Sequence, residues 1–142
     1  MAQVPMSTYL DLARYLGISA QSELDLAGIV EQGLPLDSIS HLKEQGLTFS
    51  EVLAVVISPR TLKHRKARRE RLSHEETDRV IRVARIVSLA DQVFGSREKA
   101  LGWLRTPDDR LNGRTPLGLL HTESGGRAVE RMLWQIEEGV YV

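Results

Sequence analysis

Apolar residues along this chain recur every three or four positions almost throughout, and strand-like alternation is nearly absent. That spacing predicts a succession of helices. A first helix carrying Tyr9, Leu10, Ala13 and Leu16 is expected to be capped by Ser7 and ended by Gly17. A second is predicted from Ser22 to Gly33, with Leu24, Leu26, Ala27 and Val30 as its apolar positions. A third runs from Asp37 to Gln45 and is stopped by Gly46. Thr48 with Glu51 has the capping-box spacing and opens a fourth, Phe49 to Val56. Ser58-Pro59 then reads as an N-cap followed by Pro at the first helical position, which starts a fifth helix reaching Arg69.

Ser73 with Glu76 repeats the capping box and opens a long helix that Gly95 closes after Phe94. Its stripe of Val80, Val83, Ala84, Val87, Ala90 and Phe94 is joined by Leu89 and Val93 on another side, so it is expected to be the buried central strut. Arg79, Arg82 and Arg85 share its polar side and are expected to face solvent. Ser96 caps a short helix holding Ala100, Trp103 and Leu104, and residues 105–115 read as a loop with an Asn112-Gly113 turn. Thr115-Pro116 repeats the cap-then-Pro signal. A last helix is predicted from about Gly126 to Glu138, with Val129, Met132, Leu133 and Ile136 facing the core. Trp134 lies about 140° from Val129 at 100° per residue, off that stripe. It is either a contact for a partner or a side chain packed beneath the 105–115 loop; Trp is over-represented in binding hot spots. The fold class is therefore all-α, with a boundary near Leu72 dividing residues 1–72 from 73–142.

Composition sharpens this picture through charge. The 142 residues carry 19 Lys and Arg against 19 Asp and Glu. The balance is local nonsense: residues 60–71 hold 7 basic side chains and 1 acidic, while residues 1–59 hold 2 basic and 7 acidic. A cationic patch is thus hidden in a neutral chain. The chain has no Cys, so disulfides, thiol nucleophiles and thiolate metal sites are excluded. Its longest apolar run, Val52 to Ile57, is far short of a membrane span. No basic segment followed by an apolar one opens the chain, and a cytoplasmic location with no membrane role is expected. The four histidines at positions 41, 64, 74 and 121 are scattered, Asp108-Asp109 has no ligand partner at a telling spacing, and Gly125-Gly126 reads as a helix start without a phosphate-loop Lys. No enzyme activity, cofactor or metal is expected.

The fourth and fifth helices, joined by a turn of about two residues, form a helix-turn-helix candidate, in which the second helix enters the DNA major groove. Ile57 and Leu62 point inward. Arg60, Lys63 and His64 are assigned to base edges or nearby phosphates, and Lys66, Arg68 and Arg69 mainly to the backbone. Ser58 and Thr61, at the helix N-terminus, suit a phosphate oxygen. The plain alternative is a solvated cationic face without a ligand.

Several motifs bear a further likeness. Ser58-Pro59-Arg60-Thr61-Leu62, Arg71-Leu72-Ser73, the run from Asp78 to Arg85, and Ala90 through Gly95 resemble the helix-turn-helix and long helix of Xre-type antitoxins. Lys99 through Leu104, Leu111-Asn112-Gly113-Arg114-Thr115-Pro116-Leu117, Thr122 through Gly125 and Gly139-Val140 resemble the toxin-binding module of the Xre, MbcA and ParS group. The likeness spans about residues 36–142; the first 35 match nothing comparable. The segment from Phe49 to Ile57 departs from the pattern in having no Gly in its turn.

The resemblance implies an Xre-like helix-turn-helix and dimerisation domain joined by the long helix to a small toxin-binding domain. It also implies a cytoplasmic homodimer that neutralises a RES-domain, NAD-consuming toxin and represses its own operon at an operator. On that reading the toxin meets Gly113, Thr115, Pro116, Arg131, Trp134, Glu138, Tyr141 and Val142. Rim pairing can draw on Arg127 or Glu137 as well. The short tail Val140-Tyr141-Val142 either reaches a partner or packs back on the last helix. A stand-alone helix-turn-helix regulator with a C-terminal effector or dimerisation domain is the alternative from another class, and a helical scaffold without DNA is a third.

Overall fold

The computed structural model describes residues 6–139. The side chains of Ser7, Tyr9 and Leu10, and the tail residues Val140, Tyr141 and Val142, lie outside the described part. The helices are α1 Met6–Leu16, α2 Glu23–Gln32, α3 Ser38–Glu44, α4 Phe49–Val55, α5 Pro59–Arg68, α6 His74–Phe94, α7 Arg97–Leu104 and α8 Glu123–Glu137. Two 3-10 turns, Asp109–Leu111 and Leu117–His121, stand between α7 and α8. The described residues form no strand, only an isolated bridge between Asp108 and Arg114. The chain is all-α, as its periodicity predicts.

The predicted caps are in place. Ser22, Thr48, Ser58, Ser73 and Ser96 each accept a hydrogen bond from a backbone N–H in the first turn of the helix that follows. Both capping boxes close: the Glu51 and Glu76 carboxylates accept from Thr48 N and Ser73 N, each at 2.8 Å. Two helix starts differ from expectation. α1 already includes Ser7, so Ser7 is not the residue preceding it. α8 begins at Glu123 and not near Gly126; Thr122 Oγ1 caps it by accepting from Gly125 N at 3.0 Å. Gly125 and Gly126 are not its start but lie in its first turn, where packing demands a glycine at 125. A Cβ on Gly125 would sit 2.0 Å from the Leu119 carbonyl oxygen.

The turn between α4 and α5 has no glycine and needs none. Val56 keeps φ −102°, and no residue between Gly46 and Arg69 has a positive φ. Val56 and Ile57 fill the corner as buried side chains, 2% and 4% exposed.

α6 is the strut expected. Val80, Val83, Ala84, Val87 and Ala90 are buried along it, and α1, α2, α3, α7 and α8 all pack on it. One hydrophobic cluster runs from Leu12 to Leu133 without a break at residue 72. The polar side of α6 is not the solvated face expected. Arg79 and Arg82 are half-buried and donate to main-chain carbonyls of other segments, because helix ends leave carbonyls without partners within their reach. Leu24 and Ala27 also depart from expectation. α2 turns Leu26 inward, with Ile29 and Val30 half-buried, which leaves Leu24 81% exposed.

Candidate nucleic-acid and protein interfaces

α5 is seated by one apolar anchor and one ion pair. Leu62 is buried on the α5 side that meets the body. One turn on, Arg65 Nε donates to Glu76 Oε1 at 2.7 Å and its terminal nitrogen to Oε2 at 3.2 Å. Arg65 also reaches Glu70 at 3.4 Å. Burial pushes the Glu76 carboxyl up, but the bonds from Arg65 and from Ser73 N outweigh it and hold the group below the ordinary glutamate range. The same bond to Glu76 raises Arg65. A forked guanidinium–carboxylate pair fixes orientation as well as distance. Glu76 thus caps α6 and sets the pose of α5 with one carboxylate.

Arg71 is also absorbed by the fold, donating to the Gly33 carbonyl at 2.9 Å. What remains of the basic block is a coherent surface. Arg60, Lys63, His64, Lys66, Arg68 and Arg69 are all exposed. Among the described residues, Arg60, Lys63, Lys66, Arg68 and Arg69 form no ion pair. Arg60, Lys63 and His64, three and four residues apart, share one face of α5. Lys66 lies nearer the Leu62 side by helical angle yet is exposed too, because residues 66–69 all stand clear of the core. At the N-terminus the Ser58 hydroxyl donates to Thr61 Oγ1 at 2.8 Å and accepts from Thr61 N at 3.2 Å. Ser58 is therefore committed to the cap, whereas the Thr61 hydroxyl keeps its own proton to donate outward. Arg69 ends the helix in the left-handed region, φ 55°.

The C-terminal residues fall into two groups. Asn112 and Gly113 have φ of 57° and 78°, a tight turn that lets Asp108 N bond to the Arg114 carbonyl at 3.1 Å. The Asp108 carboxylate accepts from Arg110 Nε and Arg110 N, each at 2.9 Å, and these bonds hold its pKa below the usual range. Thr115 Oγ1 accepts from Gly118 N at 3.0 Å, and Pro116 is buried at the head of the 3-10 helix Leu117–His121. Gly113, Thr115 and Pro116 thus shape one loop. Arg131, Trp134 and Glu138, at spacings of three and four, form one stripe along α8 and its C-cap. Arg131 and Glu138 are exposed; Trp134 is half-buried and outside the main core cluster. Among the described residues no hydrogen bond or ion pair joins the loop to the stripe. Nor do any three His, Asp or Glu side chains group to hold a metal ion, and no helix is long and apolar enough to cross a membrane.

Residues 25–85 match the family model of the Xre-like antitoxin helix-turn-helix domain, and residues 89–139 match that of the Xre/MbcA/ParS antitoxin C-terminal toxin-binding domain. An Antitoxin Xre of Pseudomonas putida is 36% identical over 118 residues, 83% of this chain and 74% of the relative. The chain belongs to the Xre antitoxin family. An Antitoxin Xre of Yersinia enterocolitica is 31% identical over 133 residues, covering 92% of this chain and 90% of its own. A Prs ADP-ribosylating antitoxin of Sphingobium sp. is 28% identical over 141 residues, covering 89% and 87%. The Xre antitoxins are not an enzyme family, and the two matched spans meet inside α6.

In this Xre-family chain the sequence reading missed the arginines that join the two spans. Arg105, at the end of α7, donates to the Glu51 carboxylate at 2.7 and 2.8 Å and to the Gly46 carbonyl at 2.8 Å. That bond with Arg105 holds Glu51 below the ordinary glutamate range. Arg97 binds Asp91, the Gln45 carbonyl at 2.6 Å and the Tyr15 ring at 5.2 Å. The capping-box spacing does mark Glu51 and Glu76 in the sequence; their arginine partners 54 and 11 residues away carry no local signal.

Proposed function

We propose that this antitoxin neutralises a RES-domain, NAD-consuming toxin and, as a homodimer, represses its own operon by placing α5 in the major groove of an operator. The observation that carries the DNA role is the surface of five cations on α5 and its C-cap without an ion pair among the described residues, seated by Leu62 and the Arg65–Glu76 pair. A preorganised cationic helix of this kind offers backbone-neutralising charge and base-reading arginines together. Arg60, Lys63 and His64 read base edges or adjoining phosphates. Thr61, with its cap partner Ser58, meets a phosphate, and Lys66, Arg68 and Arg69 follow the backbone. A homodimer sets two such helices about one DNA turn apart. Support for it comes from α2, where exposed Leu24 stands beside a groove of about 380 Å³ whose lining is half apolar, with Leu26, Val30 and Ile81, and half charged, with Glu31, Asp78 and Arg85.

Residues 1–72 then carry the DNA contacts and residues 73–142 the toxin contacts. The α8 stripe of Arg131, Trp134 and Glu138, with the tail bearing Tyr141 and Val142, covers the toxin's active site, and the Gly113–Pro116 loop flanks it. A partly exposed Trp between charges suits a hot spot with a polar rim. The protein works in the cytoplasm.

The test has two arms. Gel shifts on the chain's own promoter compare the wild type with the Arg60→Ala, Lys63→Ala double variant, which should lose operator binding and keep toxin binding. Co-expression with the RES-domain protein encoded beside it, following growth and NAD level, compares deletion of residues 139–142 and Trp134→Ala. Full protection by both variants would place the toxin contact elsewhere.

A further inference from the structure

The HTH turn and the start of α8 share a single side chain. Arg79 Nη1 donates to the Val56 carbonyl at 3.1 Å, and Arg79 Nε donates to the His121 carbonyl at 3.3 Å. Val56 is the C-cap of α4, two residues before the Ser58 that caps α5. His121 is the last residue of the 3-10 helix, directly before the Thr122 that caps α8. Both carbonyls stand at helix ends, where the backbone offers no partner of its own. The flat, always-charged fork of an arginine offers donors on separate nitrogens to two such oxygens at once, whereas the donors of an ammonium group share one nitrogen.

The surroundings make this contact a joint. The 3-10 helix Leu117–His121 packs directly on α4, on α6 and on α8. It is packed tightly against the start of α8, where an added Cβ on Gly125 would sit 2.0 Å from the Leu119 carbonyl oxygen. Any displacement of α8 therefore carries the His121 carbonyl with it. The guanidinium links that carbonyl to the Val56 carbonyl, two residues before the residue that caps α5. One turn further along α6, Arg82 donates to the Leu120 carbonyl at 3.1 Å and pairs with Asp78, without reaching the helix-turn-helix.

We propose that Arg79 is a positioning residue that couples toxin binding at α8 to operator binding at α5. The proposal rests on the DNA and toxin roles given above. Because such coupling is a free energy shared between two sites, toxin changes operator affinity by the factor with which operator DNA changes toxin affinity.

The experiment measures operator affinity by fluorescence anisotropy, using a duplex from the chain's own promoter. The full-length antitoxin is titrated alone and in complex with the RES-domain protein encoded beside it. For the wild type the two affinities should differ by roughly 5–150-fold, the usual range of such couplings. Arg79→Gln should still bind DNA and toxin, with the ratio brought within about twofold of one. Arg82→Gln should keep the wild-type ratio. Should Arg79→Gln fail to fold by circular dichroism, Arg79→Lys replaces it, since it keeps the charge and loses the fork. A wild-type ratio of one, or an unchanged ratio in the Arg79 variant, overturns the coupling. A wild type that does not bind the promoter at all overturns the operator reading, and the coupling with it.

Discussion

α5 and α6 are both rich in arginine, and they put it to opposite uses. On α5, Arg60, Arg68 and Arg69 stand in solvent without an acidic partner among the described residues. On α6, Arg79 and Arg82 lie half-buried against carbonyls of distant segments. The residue type and the helical setting are the same. What differs is whether a neighbouring helix ends within reach and leaves acceptors that need a donor. α6 crosses the ends of α4 and of the 3-10 helix before α8, whereas the outer face of α5 is exposed, with no ion-pair partner among the described residues. An arginine's role is decided by that geometry and not by the density of charge around it.

The contrast breaks most visibly at the DNA interface. Replacing Arg60 and Lys63 together by Ala should cost about 1–3 kcal/mol of operator binding each and leave the melting temperature unchanged. A fall in both would show that α5 is structural too. Next in size is the ion pair beneath α5. Glu76→Ala leaves Arg65 only its longer pair with Glu70 and strips the Ser73 N–H of its acceptor, so a stability loss of about 1–3 kcal/mol is expected in urea unfolding. Lys66→Ala should stay within about 0.5 kcal/mol in the same assay, while reducing the salt dependence of DNA binding.

A smaller effect should appear in acid. The Arg105 bond lowers Glu51, and the bonds from Arg65 and Ser73 lower Glu76 against their burial. In the unfolded chain both take up protons around the ordinary glutamate value of about 4.3, but in the native state only at lower pH. The unfolded state thus binds more protons in that window, and the stability these groups confer, full above it, is lost as pH falls through it. Glu51→Gln and Glu76→Gln, which keep a capping-box acceptor, should flatten the acid limb of a stability–pH curve. The smallest effect sharpens the comparison within α5 itself. Arg69 sits at φ 55°, a conformation that favours glycine. Relief of the left-handed conformation, about 1 kcal/mol, is largely offset by the extra chain entropy that glycine loses, so Arg69→Gly should raise stability by only about 0.3 kcal/mol and weaken operator binding, setting fold and function against each other at one residue.

The helices and their caps were readable because they depend on neighbours three or four residues apart. Ser58 with Pro59, and the two capping boxes, are local chemistry and appear where expected. The long-range joints were not readable. Nothing near Arg79 in the sequence announces Val56 or His121, so its regular spacing with Arg82 and Arg85 looked like a solvated face. Gly125-Gly126 misled for a related reason: a glycine pair can begin a helix or let one pass close to another chain segment, and only packing tells which. Leu24 fitted the apolar pattern of α2, yet the angle at which α2 meets α6 leaves it outside. The exposure of the α5 charge run was legible, since such a run needs no distant partner to be recognised.

The uninterrupted apolar cluster from Leu12 to Leu133 has a bearing on how long this protein lasts. With no seam between the two matched domains in that cluster, urea should unfold it in one step, and near-ultraviolet and far-ultraviolet signals should coincide. A protease that captures the opened chain then removes both abilities together, on one clock. One opening event thus exposes the whole span from α1 to α8 to cleavage at once.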